Sequence, residues 1–258
     1  MDNNFGEWTL YSGESITDEI FNEMLELDGQ LFTEEAGTNL GKEYIKSLYQ
    51  DSREGVFIIR NERTKEIVGY TFSIAISKEQ LQQYLEDHDY SKLKNIGMRE
   101  GKNILYIYTL ASNPKYRGTI AQKILGKALA EYVIKCNQEN KEIGYCFAEA
   151  VSSDGAKALT RSMGMVEMEG EHGSDGTGFY HFDSIEAFKR YIEKMNGFDY
   201  SLYTQPSEEN PIPKREVKVN EVKEVAEGEK RESKNRAINA VTSSGEEKNK
   251  EGQSHNDE

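Results

Sequence analysis

The sequence predicts a folded domain of the mixed α/β (α+β) class, followed by a charged tail. Helical and strand-like patterns alternate up to Tyr203, with no internal repeat. Residues 205–258 contain no Phe, Tyr or Trp, and Glu, Lys, Asn and Ser dominate there. Such a composition cannot bury enough apolar surface to offset the entropy of ordering. We therefore expect a domain over residues 1–203 and a disordered charged tail over residues 204–258.

The first part of the domain reads as a strand, two helices and a hairpin. "EWTLYSG" is typical of a short strand. "SITDEIFNEMLELDGQLF" has one apolar helical face and begins at a cap, Thr17 or Asp18, and "GKEYIKSLYQD" repeats that spacing. In "GVFIIRNERTKEIVGYTFSIAI" two runs rich in β-branched and aromatic residues flank a polar turn, which predicts a β-hairpin.

Residues 78–103 form a polar insert that is longer than the usual connection between elements. Its first part, "KEQLQQYLED", has the spacing of a helix. A long connection with structure of its own is either functional, for instance a lid, or a structural ornament. The sequence leaves both alternatives open.

The second part of the domain begins with the clearest strand, "NILYIYTLAS". A long amphipathic helix is predicted from Gly118, and "IGYCFAEAV" is a second buried strand. "SDGAKALTRSMG" predicts a short helix that is capped by Ser153 or Asp154 and ends at Gly164. "MVEMEGE" and "GFYHFD" are expected to pair as a last hairpin, before a helix capped by Ser184.

The composition excludes several classes of protein. The formal net charge of −14 argues against a general nucleic-acid binder and is compatible with a cationic substrate. No apolar run is long enough to span a membrane, and the N-terminus has no signal-peptide pattern. Cys136 and Cys146 form no CxxC pair, and the four His have no metal-ligand spacing. We therefore expect no metal, no membrane contact, buried free thiols and a cytoplasmic location.

The stretch "ASNPKYRGTIAQKIL", residues 111–125, predicts an anion site. A strand ends, a proline-containing loop follows, and a glycine precedes a long helix. The first N–H groups of a helix have no partner within it, and the helix dipole is positive at that end. Lys115 and Arg117 add positive charge in an otherwise acidic chain.

The order of elements and two motifs resemble the GNAT N-acetyltransferases over residues 7–183. "LASNPKYRGTIAQKILGKAL" is similar to the family's strand end, P-x-Y-R-G and helix, and "SSDGAKALTRSMGM" is similar to its N-x-x-A-x-x-L-Y-x-x-x-G-F. The resemblance implies a mostly antiparallel central sheet flanked by helices. It also implies acetyl-CoA as co-substrate and direct attack of an amine on the thioester.

Both motifs depart from the family's pattern. Ile120 stands where the loop R/Q-x-x-G-x-G/A has its middle glycine, unless one residue is deleted and Ala121 is the last small residue. An isoleucine would crowd the loop and a deletion would reshape it. Thr160 replaces the tyrosine that protonates the leaving thiolate. A threonine hydroxyl is too weak an acid for this task, so another tyrosine or water would have to supply the proton.

The resemblance also implies the residues of the site. A base must take the amine's proton. Glu149 is the first candidate, because a carboxylate in an apolar strand is costly to bury without a partner, and such a group is often functional. Tyr106, Tyr108 and His181 are further candidates. Tyr106 and Tyr108 share one face of their strand and are expected to line the substrate or pack in the core rather than act as the base. The expected contacts to acetyl-CoA are Leu110, Ala111, Lys115, Arg117, Gly118, Thr119, Ala121 and Ser153.

Three functions are compatible with the sequence. The first is an N-acetyltransferase acting on a small-molecule or peptide amine, such as a polyamine, an aminoglycoside or a lysine-containing peptide. The second is a non-catalytic GNAT-like binding or regulatory module, and the third is an unrelated α/β protein with an anion loop. A V-shaped gap between the strands "NILYIYTLAS" and "IGYCFAEAV" would exclude the third. A monomer and a homodimer are both compatible with the chain.

Overall fold

The structure is a computed structural model that describes residues 4–5, 7–32, 41–51, 53–87, 93–172 and 178–198. The predicted charged tail and most of the glycine-rich turn of the last hairpin lie outside the described residues. The strands are β1 (Asn4–Phe5), β2 (Trp8–Ser12), β3 (Val56–Asn61), β4 (Ile67–Ile76), β5 (Asn103–Ser112), β6 (Ile143–Ala150), β7 (Val166–His172) and β8 (Gly178–His181). The helices are α1 (Asp18–Leu31), α2 (Lys42–Asp51), α3 (Lys78–Asp87), α4 (Ala121–Gln138), α5 (Ser153–Lys157) and α6 (Ile185–Asn196).

The strands form one eight-stranded sheet in the order β1-β2-β3-β4-β5-β6-β8-β7. In the described part of this sheet, β5 and β6 pair parallel and all other pairs are antiparallel. Parallel neighbours need a long crossover, which α4 provides here. The predicted mixed, mostly antiparallel sheet flanked by helices is confirmed.

Each face of the sheet carries its own apolar core. The α4 core contains residues of α4 and α6 packed against the inward residues of the central strands. The α1 core, on the other face, contains residues of α1, α2 and α3. Alternation along β5 divides its residues between the two: Leu105 and Ile107 belong to the α4 core, and Tyr106 belongs to the α1 core. The described part of the domain is therefore a three-layer sandwich of helices, sheet and helices.

Most helix boundaries follow from local chemistry. The side chain of Thr17 accepts a hydrogen bond from the N–H of Ile20, and that of Ser184 accepts one from Ala187. Gly164 ends the short helical segment after β6 in the left-handed conformation, with φ of 78°. These three boundaries lie where the sequence places them.

Two helix starts differ from the prediction. The cap of α5 is Ser152, not Ser153 or Asp154, because Ser152 has the extended backbone and its hydroxyl accepts from the N–H of Gly155. The helix α4 starts at Ala121 rather than Gly118, since Gly118 adopts a φ of +78° that no helix accepts. The segment after α5, Ala158–Met163, is a π-helical turn, which was not predicted.

The insert between β4 and β5 is packed into the domain. Its helix, α3, has the predicted position, and Tyr84 and Leu93 are fully buried in the α1 core. The N–H of Ala75, near the end of β4, donates to Asn95 Oδ1 at 3.0 Å, and Ala75 O accepts from the N–H of Ile96 at 2.9 Å. Tyr44 on α2 donates to the carbonyl of Leu93 at 2.8 Å. The described part of the insert is thus fixed to the sheet and to α2.

The two cysteines are buried, and both are free thiols. Burial raises the pKa of the Cys136 and Cys146 thiols. A buried thiol with a raised pKa is a poor nucleophile, so neither cysteine is a candidate for chemistry. No helix among the described residues has both the length and the apolar character needed to cross a membrane.

Candidate active site

The central strands β5 and β6 separate at one end. Their parallel pairing runs from Asn103 and Ile143 to Ile107 and Ala148, where it stops. Beyond that point residues 108–112 of β5 continue along β4, and residues 149–150 of β6 continue along β8. We call the opening between these two segments the strand gap. It is the V-shaped opening whose presence argues against the third function, an unrelated α/β protein with an anion loop.

A β-bulge accompanies the separation. The neighbouring residues Phe72 and Ser73 of β4 pair with Thr109 and Ile107 of β5, so that Tyr108 is the extra residue. A bulge bends its strand and increases the local twist, which directs the end of β5 away from β6. The hydroxyl of Thr71 donates to the carbonyl of Thr109 at 2.9 Å and fixes the bulged segment to β4.

Close packing at Gly69 also fixes the wall of the strand gap. A Cβ at this position would lie 2.9 Å from the carbonyl oxygen of Ala111 and 3.4 Å from Leu125 Cδ1. We expect Gly69→Ala to lower the free energy of unfolding by about 1–3 kcal/mol, as overpacking commonly does. Urea denaturation measures this. Gly144→Ala is the control, because its Cβ would meet only the flexible side chain of Lys102, at 3.4 Å; equal losses in both variants would contradict the prediction.

The loop between β5 and α4 presents N–H groups at the mouth of the strand gap. Asn113 begins a tight turn, Pro114–Tyr116, and its side chain accepts from the N–H of Lys115 at 3.0 Å. Gly118 then reverses the chain with its φ of +78°. Among the residues that the structure describes, the N–H groups of Gly118, Ile120 and Gln122 have no acceptor. These donors are available to an anion.

The contacts of Ala121 and Ile120 within the domain affect how the loop can bind an anion. The N–H of Ala121 donates to Thr119 Oγ1 at 3.3 Å, which occupies one donor of the first helical turn. Ile120 has a helical backbone with φ of −75°, and its side chain packs against the α4 core. The backbone of Ile120 is therefore one that any residue can adopt, so a glycine is not required at this position. The side chain of Ile120 packs on the core and does not crowd the loop.

The two predicted cationic residues of the loop, Arg117 and Lys115, have acidic partners in different parts of the domain. Arg117 lies 3.7 Å from Asp154 at the start of α5, and both side chains are exposed, at 62% and 69%. Ser153, next to Asp154, is exposed as well. Lys115 instead forms an ion pair with Glu66 at 2.6 Å. The structure therefore brings Arg117 and Ser153 to the same end of the sheet and engages Lys115 with the β3–β4 turn.

The carboxylate of Glu66 forms the centre of a small polar cluster. Hydrogen bonds from Lys115, at 2.6 Å, and from Tyr116, at 2.7 Å, lower the pKa of Glu66 to about 2. A carboxyl group with a depressed pKa stabilises the fold above its unfolded pKa of 4.5 and loses this contribution as the pH falls towards about 2. The cluster thus connects the loop after β5 to the β3–β4 turn.

Replacement of Glu66 should reveal this contribution. We expect Glu66→Gln to have a lower Tm than the unmodified chain near neutral pH, and the difference should shrink as the pH falls from 4.5 towards about 2. Thermal unfolding followed by circular dichroism over a pH series measures it. A Tm difference that is independent of pH over this range would show that the ionised form of Glu66 is not what stabilises the cluster.

The candidate bases lie on one face of the sheet. Glu149 is half-buried, directly beyond the last β5–β6 pair, and Tyr84 Oη donates to Glu149 Oε2 at 2.6 Å. His181 pairs with Phe147, two residues before Glu149 on β6, and its ring lies 5.7 Å from that of Tyr145. Its Nδ1 is buried and has no hydrogen-bond partner within the described part of the chain.

The tyrosines of β5 differ in their surroundings. Tyr106 is buried and stacks on Phe147, with ring centroids 4.5 Å apart, which makes it a core residue. Tyr108, the bulged residue, is half-buried beside Phe72 at 5.5 Å. Leu110 is half-buried and Ala111 is buried, and both belong to the wall of the strand gap. Tyr108 is thus the aromatic residue located where β5 leaves β6.

Thr160 uses its hydroxyl within its own helical segment. Oγ1 donates to the carbonyl of Ala156 at 2.9 Å, and the residue is exposed in the π-helical turn. This arrangement agrees with the expectation that Thr160 is no proton donor. Among the described residues, the hydroxyl of Tyr84 is hydrogen bonded to a candidate base, Glu149. The sequence did not predict a role for Tyr84.

The burial of Tyr84 could have been predicted, but its partner could not. Leu81, Tyr84 and Leu85 recur at helical spacing in α3, which indicates an apolar face. The hydrogen bond to Glu149 joins residues 65 positions apart, and no local pattern specifies such a contact. A second missed pair is Asp28 and Tyr70, whose side chains are hydrogen bonded in the α1 core.

The strand order and the crossover agree with the GNAT-like fold that the sequence resemblance implies. This agreement rests on the antiparallel strands, the parallel pair β5–β6 that diverges at a bulge, and the long helix α4 between them. No protein-family model matches the sequence, and no curated protein matches it.

Among solved structures, 130 chains match. One is the NatC complex bound to Gag peptide and CoA, at 14% identity and a TM-score of 0.48, with 68% of this chain and 96% of that chain covered. Another is Arabidopsis thaliana Naa50 with the bisubstrate analogue CoA-Ac-MVNAL, at 14% identity and a TM-score of 0.44, covering 68% and 97%. Arabidopsis thaliana NAA60 with acetyl-CoA matches at 14% identity and a TM-score of 0.41, again covering 68% and 97%.

Proposed function

We propose that the chain is an acetyl-CoA-dependent N-acetyltransferase that acts on an amine by direct attack. The observation that carries the proposal is the strand gap, which opens beside a loop with unpartnered N–H groups. A gap between parallel neighbours exposes backbone groups along its walls and leaves room for an extended ligand. The N–H groups and Arg117 at its mouth suit an anion.

The residues of the chain fit acetyl-CoA at both ends of this opening. We assign the pyrophosphate to the N–H groups of the loop at Gly118, Ile120 and Gln122, with Arg117 as the cationic partner. Leu110 and Ala111 in the wall of the gap provide backbone groups for the pantetheine and for the oxyanion. The remaining predicted contacts, Lys115, Thr119, Ala121 and Ser153, stay predictions. Acetyl-CoA supplies the thioester carbonyl that an amine attacks.

We assign the role of general base to Glu149. It takes the proton that the acceptor ammonium must lose before its nitrogen can attack the thioester carbonyl. The C–N bond then forms, the C–S bond breaks, and the second proton lost by the nitrogen passes to water. Its place just beyond the last β5–β6 pair supports this role. His181, with an unpartnered Nδ1 on the same face, is the second candidate, and Tyr108 is assigned to the substrate side of the gap. Because Thr160 uses its hydroxyl locally, the thiolate takes its proton from water.

The acceptor is proposed to be a cationic amine, in a small molecule or a peptide, in agreement with the net charge of −14. The site is expected to work in the cytoplasm, and in a monomer or homodimer. A specific observation favours the second function, a non-catalytic module: the hydrogen bond from the N–H of Ala121 to Thr119 Oγ1 removes one donor from the anion site. The preserved strand gap favours the enzyme.

Calorimetric titration of the full chain with acetyl-CoA tests the proposal. We expect saturable binding, followed by release of CoA when spermidine, kanamycin or a lysine-containing peptide is added. Binding of acetyl-CoA without release of CoA, whether one of these amines or water alone is the acceptor, would favour the non-catalytic module. A titration with no heat of binding at millimolar acetyl-CoA would refute both the enzyme and a CoA-binding module.

A further inference from the structure

The insert brings a tyrosine to the candidate base. Tyr84, on the buried face of α3, has no exposed surface, and its hydroxyl donates to Glu149 Oε2 at 2.6 Å. Glu149 lies on β6, 65 positions after Tyr84 in the sequence. This contact therefore joins the insert directly to the strand gap. Hydrogen bonds to a carboxylate at such a distance are among the strong ones in proteins.

The ring of Tyr84 is held on two sides. It meets Phe179 edge to face, with ring centroids 5.4 Å apart and an angle of 85°, and it lies 6.0 Å from Tyr106. Phe179 is the residue that pairs with Glu149 across β6 and β8. The hydroxyl is therefore delivered by a ring whose orientation is fixed by the same strands that carry the base.

We propose that Tyr84 is the positioning residue for Glu149, and that the insert serves the reaction by holding the base in place. The proposal rests on the proposed function. A carboxylate accepts hydrogen bonds on two oxygens, so Tyr84 can fix one oxygen while the carboxylate still takes up a proton. Fixing the base is valuable because small displacements of a catalytic group cost large factors in rate.

The insert keeps its place without this hydroxyl. Tyr44 on α2 donates to the carbonyl of Leu93, and Asn95 and Ile96 are hydrogen bonded to Ala75 of β4. Tyr84→Phe therefore removes the contact to Glu149 and leaves the docking of the insert and the aromatic packing intact. Tyr44→Phe is the matched control, since it removes a hydroxyl that holds the same insert but does not touch Glu149.

The first test is steady-state release of CoA from acetyl-CoA, with the most active amine of the panel and with water alone. We expect Tyr84→Phe to lower kcat by about 10- to 100-fold, while KM for acetyl-CoA changes by less than about twofold. We expect Tyr44→Phe to leave kcat within about twofold. A Tyr84→Phe variant with unchanged kcat, or an equal loss in both variants, would overturn the positioning role.

The second test is a double-mutant cycle, which is read first by thermal stability, without turnover, and then by kcat. A double-mutant cycle of Tyr84→Phe and Glu149→Ala, read by thermal unfolding, should show a combined Tm loss smaller than the sum of the single losses, because both variants remove one interaction. In the kinetic cycle, Tyr84→Phe should have no further effect on kcat once Glu149 is alanine. Additive losses in either cycle would show that Tyr84 does not act through Glu149.

Failure of this inference can be told apart from failure of the proposed function. Acetyl-CoA binding to the unmodified chain tests the function and involves neither Tyr84 nor Glu149. Binding and turnover together with unchanged kcat in Tyr84→Phe would overturn only the positioning role. A chain that binds no acetyl-CoA would refute the function, and with it any role of Tyr84 in the reaction.

Discussion

Arg117→Glu should lower the affinity for acetyl-CoA by about 100-fold or more. The variant removes the charge-assisted hydrogen bond that we assign to the pyrophosphate, and it would place a carboxylate beside the phosphate oxygens. It also turns the pairing with Asp154, at 3.7 Å, into a repulsion at the mouth of the strand gap. Calorimetry of this variant of the whole 258-residue chain, beside the unmodified chain, measures the loss.

The control for this experiment is Arg190→Glu. Arg190 is exposed on α6, outside the loop, and its reversal changes the net charge by the same amount. We expect its affinity to stay within about threefold, because Arg190 is exposed, lies outside the loop and is screened by salt. Equal weakening by both variants would show that only the general field of the protein attracts acetyl-CoA. Unaltered binding in Arg117→Glu would place the pyrophosphate elsewhere.

Glu149→Gln should lower the rate of CoA release by about 10²–10⁴-fold, the range expected when a general base is removed. The substitution keeps the size of the side chain and an oxygen that accepts from Tyr84, but the amide cannot take up the amine's proton. Acetyl-CoA affinity should be unchanged, because Glu149 is not assigned to the pyrophosphate or the pantetheine. Initial rates and calorimetry on the same preparation separate the two effects.

Two comparison variants decide whether Glu149 or His181 is the base. Glu186→Gln, on the exposed first turn of α6, should keep the full rate. His181→Asn should lower the rate less than Glu149→Gln does if Glu149 is the base. The reverse order of the two effects would transfer the role to His181, whose buried Nδ1 has no partner among the described residues.

Much of the fold could be predicted from the sequence because its signals are local. The spacing of apolar residues identified α1, α4 and α6, and Thr17 and Ser184 are caps by virtue of hydroxyls that reach the next turn. The β3–β4 hairpin follows from two apolar runs around one polar turn. Each of these elements is decided by residues within a few positions of one another.

The parts that escaped prediction depend on distant residues. The bulge at Tyr108 results from the register between β4 and β5, and strand registers are set by packing on both faces. The strand β8 lies between β6 and β7, an order that local patterns do not encode. The orientation of Ile120 towards the α4 core likewise depends on the crossover helix. A candidate site could therefore be proposed from the sequence, but the contacts among its residues could not be predicted.

The parallel pair β5–β6 has a consequence for the order of folding. These strands are adjacent in the sheet, yet the whole of the loop and α4 lies between them in the chain. Contacts between residues far apart in sequence require the closure of a long loop, which is slow. Both walls of the strand gap thus come together only in that step. A partly folded chain without this pairing has no strand gap, even with its hairpin and helices formed, so we expect the proposed binding of acetyl-CoA to appear only after β5 and β6 have paired.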